Sequence, residues 1–158
     1  MNTANHKFDA QPVTILLVAD DQDCRQLIRD AIEQGKLDNA VYEVESGEDA
    51  LAFLNRQGQY ANAPRPGLIY LDIEMPGISG QETLQRIRQD PRFSDIAVVM
   101  MTGVTDDDQK RLAMANGANS YTNKPTDALT FIQTVLASTN YWVRIHQFPR
   151  AESETSAA

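Results

Sequence analysis

Residues Ile15–Asp23 read ILLVADDQD: an apolar run, Ile15–Val18, passes through Ala19 into Asp20, Asp21 and Asp23. Clustered carboxylates repel one another, so a chain that sets them beside a segment built for burial has a reason to do so. A short continuous apolar run reads as a strand buried on both faces. The acids after it then stand where the chain leaves a sheet.

With Val13–Val18 as the first strand, the following sequence falls into alternating elements. Cys24, Leu27, Ile28, Ala31 and Ile32 recur at helical spacing from Asp23 to Gly35, with Asp23 as the expected cap and Gly35 as the stop. Ala40–Glu45 predicts a second strand, and Ser46-Gly-Glu-Asp leads into a helix carrying Ala50, Leu51, Phe53 and Leu54. Gln57–Gly67 is a loop by composition. Leu68–Leu71 is a third apolar run, closed by Asp72, and MPGISG (Met75–Gly80) predicts a turn before a helix over Glu82–Arg88. Ile96–Met101 is a fourth strand, ending at Thr102 and Gly103, and Asp106–Gly117 a helix of modest apolar face. Ala118–Asn123 is a weaker fifth strand, and Thr126 opens a last helix with Leu129, Phe131, Ile132, Val135 and Leu136. Apolar strands alternating with helices imply an α/β protein whose parallel sheet is covered on both faces. Right-handed crossovers then lead to a doubly wound fold, which binds ligands at the carboxyl ends of its strands.

Composition narrows the function. The chain has 158 residues, 42% of them hydrophobic, which suits one packed domain over 13–148 with tails at 1–12 and 149–158, the latter expected to be disordered. A net charge of −8 argues against general nucleic-acid binding and against docking on anionic membranes. No apolar run is long enough to span a bilayer, and MNTANHKFDAQP lacks the apolar core of a signal peptide. The lone Cys24 allows no internal disulfide. A cytoplasmic protein is expected.

The chemistry collects at the strand ends. Asp20 and Asp21 follow the first long strand, Asp72 the third, Thr102 the fourth, and Lys124 with Pro125 the fifth. In a parallel sheet these positions share one edge. Carboxylate oxygens, water and a backbone carbonyl suit Mg²⁺, which relieves repulsion between Asp20 and Asp72 and draws in an anionic phosphoryl group. A carboxylate can then act as nucleophile and form an aspartyl phosphate. Lys124 supplies a point charge for the phosphoryl oxygens and Thr102 a hydrogen bond. Taken singly, each residue has a plainer reading: a turn former or cap for an Asp, a β-branched strand end for Thr102, a solvated surface residue for Lys124. It is their coincidence at four strand ends that favours a site.

The stretches ILLVADDQDCR, IYLDIEMPGISG, VVMMTG and GANSYTNKP, in this order and spacing, resemble the receiver domain of two-component response regulators. The resemblance spans about Val13 to Leu136. It implies a CheY-like, flavodoxin-like fold with strand order 2-1-3-4-5. It makes Asp72 the phosphoacceptor, Asp20 the acid that touches Mg²⁺, and Glu74 the donor of a backbone carbonyl to the metal. Thr102 becomes the hydroxyl that moves toward the phosphoryl group, Tyr121 the aromatic switch, and Lys124 the phosphoryl-binding lysine. Pro125 is expected to follow a cis peptide bond. A half-buried strand tyrosine with no switching role is the plainer reading of Tyr121. Gap-free alignment puts Ala19 where the family has its first acid. Asp21 could take over that role if the strand end shifts by one residue, although Arg25 keeps the family's spacing to Asp20.

The resemblance also implies a partner histidine kinase, and a response regulator that catalyses only its own phosphorylation and dephosphorylation. The extended QGQYANAPRPG loop and STNYWVRIHQFP tail resemble stand-alone receivers that partner phytochrome-type and related hybrid kinases. With no room for an output domain after Phe148, the expected targets are a downstream protein or a phosphotransfer protein. Tyr141, Trp142, Val143, Ile145 and Phe148 either pack back on their own domain or form a homodimer surface near the last helix. Two other classes compete. A haloacid-dehalogenase-type phosphatase would need a DxDxT signature, which Asp72-Ile-Glu74-Met-Pro lacks. A phosphorylation-independent binding module draws some support from Ala19.

Overall fold

The computed structural model describes residues 13–35, 39–102, 107–123 and 128–142. Strands β1 (Ile15–Val18), β2 (Val41–Val44), β3 (Leu68–Asp72), β4 (Ala97–Thr102) and β5 (Ser120–Asn123) alternate with helices α1 (Gln22–Gln34), α2 (Gly47–Leu54), α3 (Gly80–Gln89), α4 (Asp107–Ala115) and α5 (Ala128–Asn140). The five strands form one sheet in the order β2-β1-β3-β4-β5, every neighbouring pair parallel. This is the expected doubly wound architecture, with β1 beside β3 at the switch in strand order.

Alternation along the central strands builds two cores. Leu16, Val18, Ile69, Leu71, Val98 and Met100 face one layer, closed by Phe53 and Leu54 of α2, Leu84 and Ile87 of α3, and Ala113 of α4. Ile15, Leu17, Leu68, Tyr70, Val99 and Met101 face the other, closed by Ile28 and Ile32 of α1 and Phe131 and Val135 of α5. All residues of β1, β3 and β4 are buried, as a strand covered on both sides requires. Tyr70 is wholly buried, and its hydroxyl shares a 2.7 Å hydrogen bond with that of Thr139, also wholly buried, which ties β3 to the end of α5. Burial lifts the Tyr70 phenol above its ordinary pKa, and hydrogen bonding from Ser138 and Thr139 opposes this in part. Among the described residues no helix is long and apolar enough to cross a membrane.

Several local expectations change. Helix α1 is capped by Asp21, whose side chain accepts from the Asp23 amide at 2.9 Å, so Asp23 lies in the first turn rather than at the cap. An Asp at that position satisfies an amide the helix cannot, and Asp23 adds negative charge near the positive end of the helix dipole. Helix α3 begins at Gly80, ahead of the expected Glu82, because Ser79 caps it through the Glu82 amide at 3.1 Å. The Gln57–Gly67 loop contains a single 3-10 turn at Gly58–Tyr60, held against α2 by Phe53 and Tyr60, whose ring centroids are 5.4 Å apart. In α4 only Ala113 is buried, and Leu112 is 42% exposed. The C-terminal aromatic pair divides: Trp142, 7% exposed, packs into the second core, while Tyr141 is 44% exposed. Val143, Ile145 and Phe148, and both expected tails, lie outside the described residues.

Candidate functional site

The carboxyl edge of the sheet is set by register. Val18 pairs with Leu71, so Ala19 stands level with Asp72 and Asp20 one residue beyond. Asp72 pairs with Met101, and Thr102 closes β4 one residue further on. Pairing continues just past the strands: the Ala19 amide donates to the Val44 carbonyl at 3.3 Å and the Ile73 amide to the Met101 carbonyl at 2.9 Å. The three central strand ends are thus held side by side by backbone bonds, and chemical side chains are added at their tips.

Asp72 is only 2% exposed, an uncommon setting for a carboxylate. Its Oδ1 accepts from the Glu74 amide at 3.1 Å, a local turn that fixes the carboxylate against its own backbone. Thr102 is 1% exposed. Asp20 and Asp21 are exposed, and one oxygen of Asp21 is committed to the α1 cap. Tyr121 pairs with Met100 in register and is 42% exposed. The Lys110 ammonium sits 5.0 Å from its ring centroid, a cation–π distance that favours this outward placement. Lys124 and Pro125, the remaining expected site residues, lie outside the described residues.

Two residues gain importance that the sequence did not give them. A Cβ on Gly80 would come within 2.1 Å of the Asp72 carbonyl oxygen and 2.7 Å of the Ile73 Cα, so only glycine lets α3 start against the Asp72 peptide. The Gly80 amide donates to the Ile73 carbonyl at 2.9 Å across this contact. The only hint in the sequence was its place at the end of MPGISG. The second residue is Arg25, 6% exposed on α1. Its Nη1 donates to the Ala19 carbonyl at 2.5 Å, and its Nε to Glu43 of β2 at 3.0 Å. An open cleft of about 730 Å³ lies beside the segment that follows β3, lined by Ile73, Glu74, Met75, Gln81, Gln109 and Leu112 among others.

The donor set fits a hard divalent cation in one specific way. Among the described residues no three carboxylate, imidazole or thiol side chains gather into a metal cluster. The oxygen donors that register and sequence place at the tips of β1 and β3 are the carboxylates of Asp20 and Asp72 and the Glu74 carbonyl, the residues that would hold such an ion. Such a sparse oxygen set suits an ion that keeps much of its water, as Mg²⁺ does. Asp72 is buried and Asp20 exposed, so a cation held between them would face solvent on one side.

Residues 15–136 match the response regulator receiver domain. The chain belongs to that family, CheY-like proteins of two-component systems whose role is phosphorylation-dependent signalling. It is 31% identical over 140 residues to the response regulator Rcp1 of Synechocystis sp., covering 89% of this chain and 95% of Rcp1. It is 32% identical over 139 residues to the probable methanogenesis regulatory protein FilR2 of Methanothrix harundinacea, covering 87% of this chain and 88% of that protein. The crystal structure of the phosphorylated cyanobacterial phytochrome response regulator RcpA superposes with a TM-score of 0.84 at 30% identity, covering 89% of this chain and 100% of RcpA. The Mn²⁺-bound form of Rcp1 gives 0.83 at 30% identity, covering 88% of this chain and 100% of that one.

Proposed function

We propose that Asp72 is the phosphoacceptor of a response regulator that receives its phosphoryl group from a phosphohistidine of a sensor kinase. The observation that carries this reading is the Asp72 carboxylate: 2% exposed at the end of a central strand and held by the Glu74 amide. A carboxylate oxygen of Asp72 attacks phosphorus, the N–P bond of the phosphohistidine breaks, and the imidazole leaves with the bond's electron pair. Asp20, Asp72 and the Glu74 carbonyl hold Mg²⁺, which neutralises charge on the phosphoryl oxygens when bound. The Mn²⁺-bound form of Rcp1 supports a divalent ion here. Lys124 pairs with a phosphoryl oxygen, Thr102 moves to donate to another, and Tyr121 turns inward into the space Thr102 leaves. The surface of α4 and β5 then differs between the two states, and differential affinity for a target protein carries the signal. Hydrolysis of the acyl phosphate resets Asp72, so the only chemistry assigned to the chain is its own phosphorylation and dephosphorylation.

RcpA is a phytochrome response regulator, which supports a phytochrome-type kinase as donor. The receiver unit spans 13–148, and a homodimer forms near α5. The decisive experiment is incubation with Mg²⁺ and acetyl phosphate followed by intact mass. One phosphoryl adduct is expected on the wild type and none on Asp72→Asn. An adduct undiminished in Asp72→Asn overturns the assignment. One observation favours a second reading. Ala19 puts a methyl group where the family has an acid, and it is wholly buried. A phosphorylation-independent binding module would bind its partner equally well as wild type and as Asp72→Asn.

A further inference from the structure

We infer that Arg25 and Glu43 form a positioning device that aims Asp20 at the metal, a role that rests on the metal site proposed above. Asp20 is exposed, and Ala19 beside it carries no carboxylate. What is fixed is the peptide in front of it. The Ala19 carbonyl belongs to the peptide unit that contains the Asp20 amide, and Arg25 Nη1 grips it at 2.5 Å. That hydrogen bond is charge-assisted and buried, hence of the strong kind.

Arg25 is itself aimed from the other side. Its Nε donates to Glu43 Oε1 at 3.0 Å, and its Nη2 lies 3.6 Å from Glu45 Oε1. Glu43 is held in turn by Arg29, at 2.6 Å from Nη2 and 2.9 Å from Nε. Leu17 pairs with Glu43 in register, so this support comes from the strand next to β1. A planar guanidinium can bridge a carboxylate on β2 and a carbonyl at the tip of β1 at the same time, which a lysine ammonium cannot do with fixed geometry. In a chain that lacks the first acid, this rigid peptide substitutes orientation for a missing charge. Groups that orient metal ligands without touching the metal commonly change affinity by about tenfold or more when removed.

The test is a Mn²⁺ titration of the full chain followed by the electron paramagnetic resonance of the free ion, with thermal melts beside it. Arg25→Met leaves Glu43 paired with Arg29, so the variant is expected to fold. Its Mn²⁺ dissociation constant should rise about tenfold. Glu43→Gln should weaken binding in the same direction, and the double variant should lose no more than Arg25→Met alone. Arg25→Lys should fall between wild type and Arg25→Met. Excess Mn²⁺ should restore phosphorylation of Arg25→Met by acetyl phosphate, which a merely unfolded or softened protein would not show. Asp20→Asn is the reference. If Asp20→Asn loses Mn²⁺ while Arg25→Met binds it as wild type does, or more tightly, the positioning role is overturned and the metal site stands. Arg25→Lys equal to wild type would assign the effect to charge and likewise overturn it. If Asp20→Asn binds as wild type does, the metal site falls and this inference with it.

Discussion

Ala19 is where a single atom group has the largest consequence. Its side chain is wholly buried and stands level with Asp72 across β1 and β3. A carboxylate placed there would be desolvated close to the buried Asp72, a costly arrangement without a cation. Ala19→Asp should therefore melt lower than wild type in metal-free buffer. Saturating Mg²⁺ should return more stability to it than to wild type, by about 1.4 kcal/mol for each tenfold gain in affinity. Paired thermal melts with and without Mg²⁺ measure this, and an equal Mg²⁺ increment in both proteins would count against a cation between Asp20 and Asp72. Asp72, Thr102 and the acids after β1 were legible in the sequence because each follows an apolar run and the topology aligns those ends. Gly80 and Arg25 were not, because a close backbone approach and a buried guanidinium depend on neighbours brought in from other elements. The capping role fell to Asp21 rather than Asp23 for a local reason: both are good caps, and the sequence does not say which residue leaves the strand direction first.

At the scale of elements, β1, β3 and β4 were readable because strands buried on both faces are apolar throughout, and the edge strand β2 was harder because only Val44 is buried there. Helix boundaries shifted by a residue or two wherever a Ser or Asp side chain found an amide. The docking of α5 was signalled by its apolar stripe, Phe131 and Val135 included, but the bond that fastens its end was not: Tyr70 lies within an apolar run, and Thr139 falls past that stripe. Their shared hydrogen bond joins α5 to the strand that carries Asp72. Tyr70→Phe should cost about 1–2 kcal/mol, since it leaves the buried Thr139 hydroxyl to find another partner. The pH dependence has a definite sign. Burial raises the folded phenol's pKa, so its favourable share is fully present below the pH where an unfolded tyrosine ionises, roughly 10. It is lost as pH rises from there through the folded value. Urea unfolding at neutral and alkaline pH should thus show a shallower alkaline decline in Tyr70→Phe than in wild type, and an unchanged slope would deny the burial effect. Gly80→Ala should be more damaging than Tyr70→Phe, because the Asp72 carbonyl cannot retreat without moving β3.

For the whole molecule, the outcome rests on two surfaces. Trp142 is internal, so Trp142→Ala should lower stability rather than report on assembly. Leu129, 65% exposed on α5, is the better probe of the proposed homodimer. Sedimentation should show Leu129→Glu shifted toward monomer relative to wild type, and two monomers would remove the dimer. The second surface is the proposed switch around Tyr121. A two-state protein responds only to interactions that differ between its states. The Lys110–Tyr121 contact exists with Tyr121 outward, and the inward turn proposed above would break it. An exposed cation–π pair contributes about 0.5–1 kcal/mol, so removing it should shift the ratio of states about two- to fivefold toward the inward form. Linkage makes this reciprocal, because whatever favours the inward ring also favours a phosphoryl-like ligand on Asp72. Lys110→Ala should accordingly bind beryllofluoride, a phosphoryl mimic, about two- to fivefold more tightly than wild type. Tyr121→Ala should abolish the difference between Lys110 and Ala at that position. If Lys110→Ala gains nothing while Asp72 still takes the mimic, Tyr121 is a strand residue with no part in the switch.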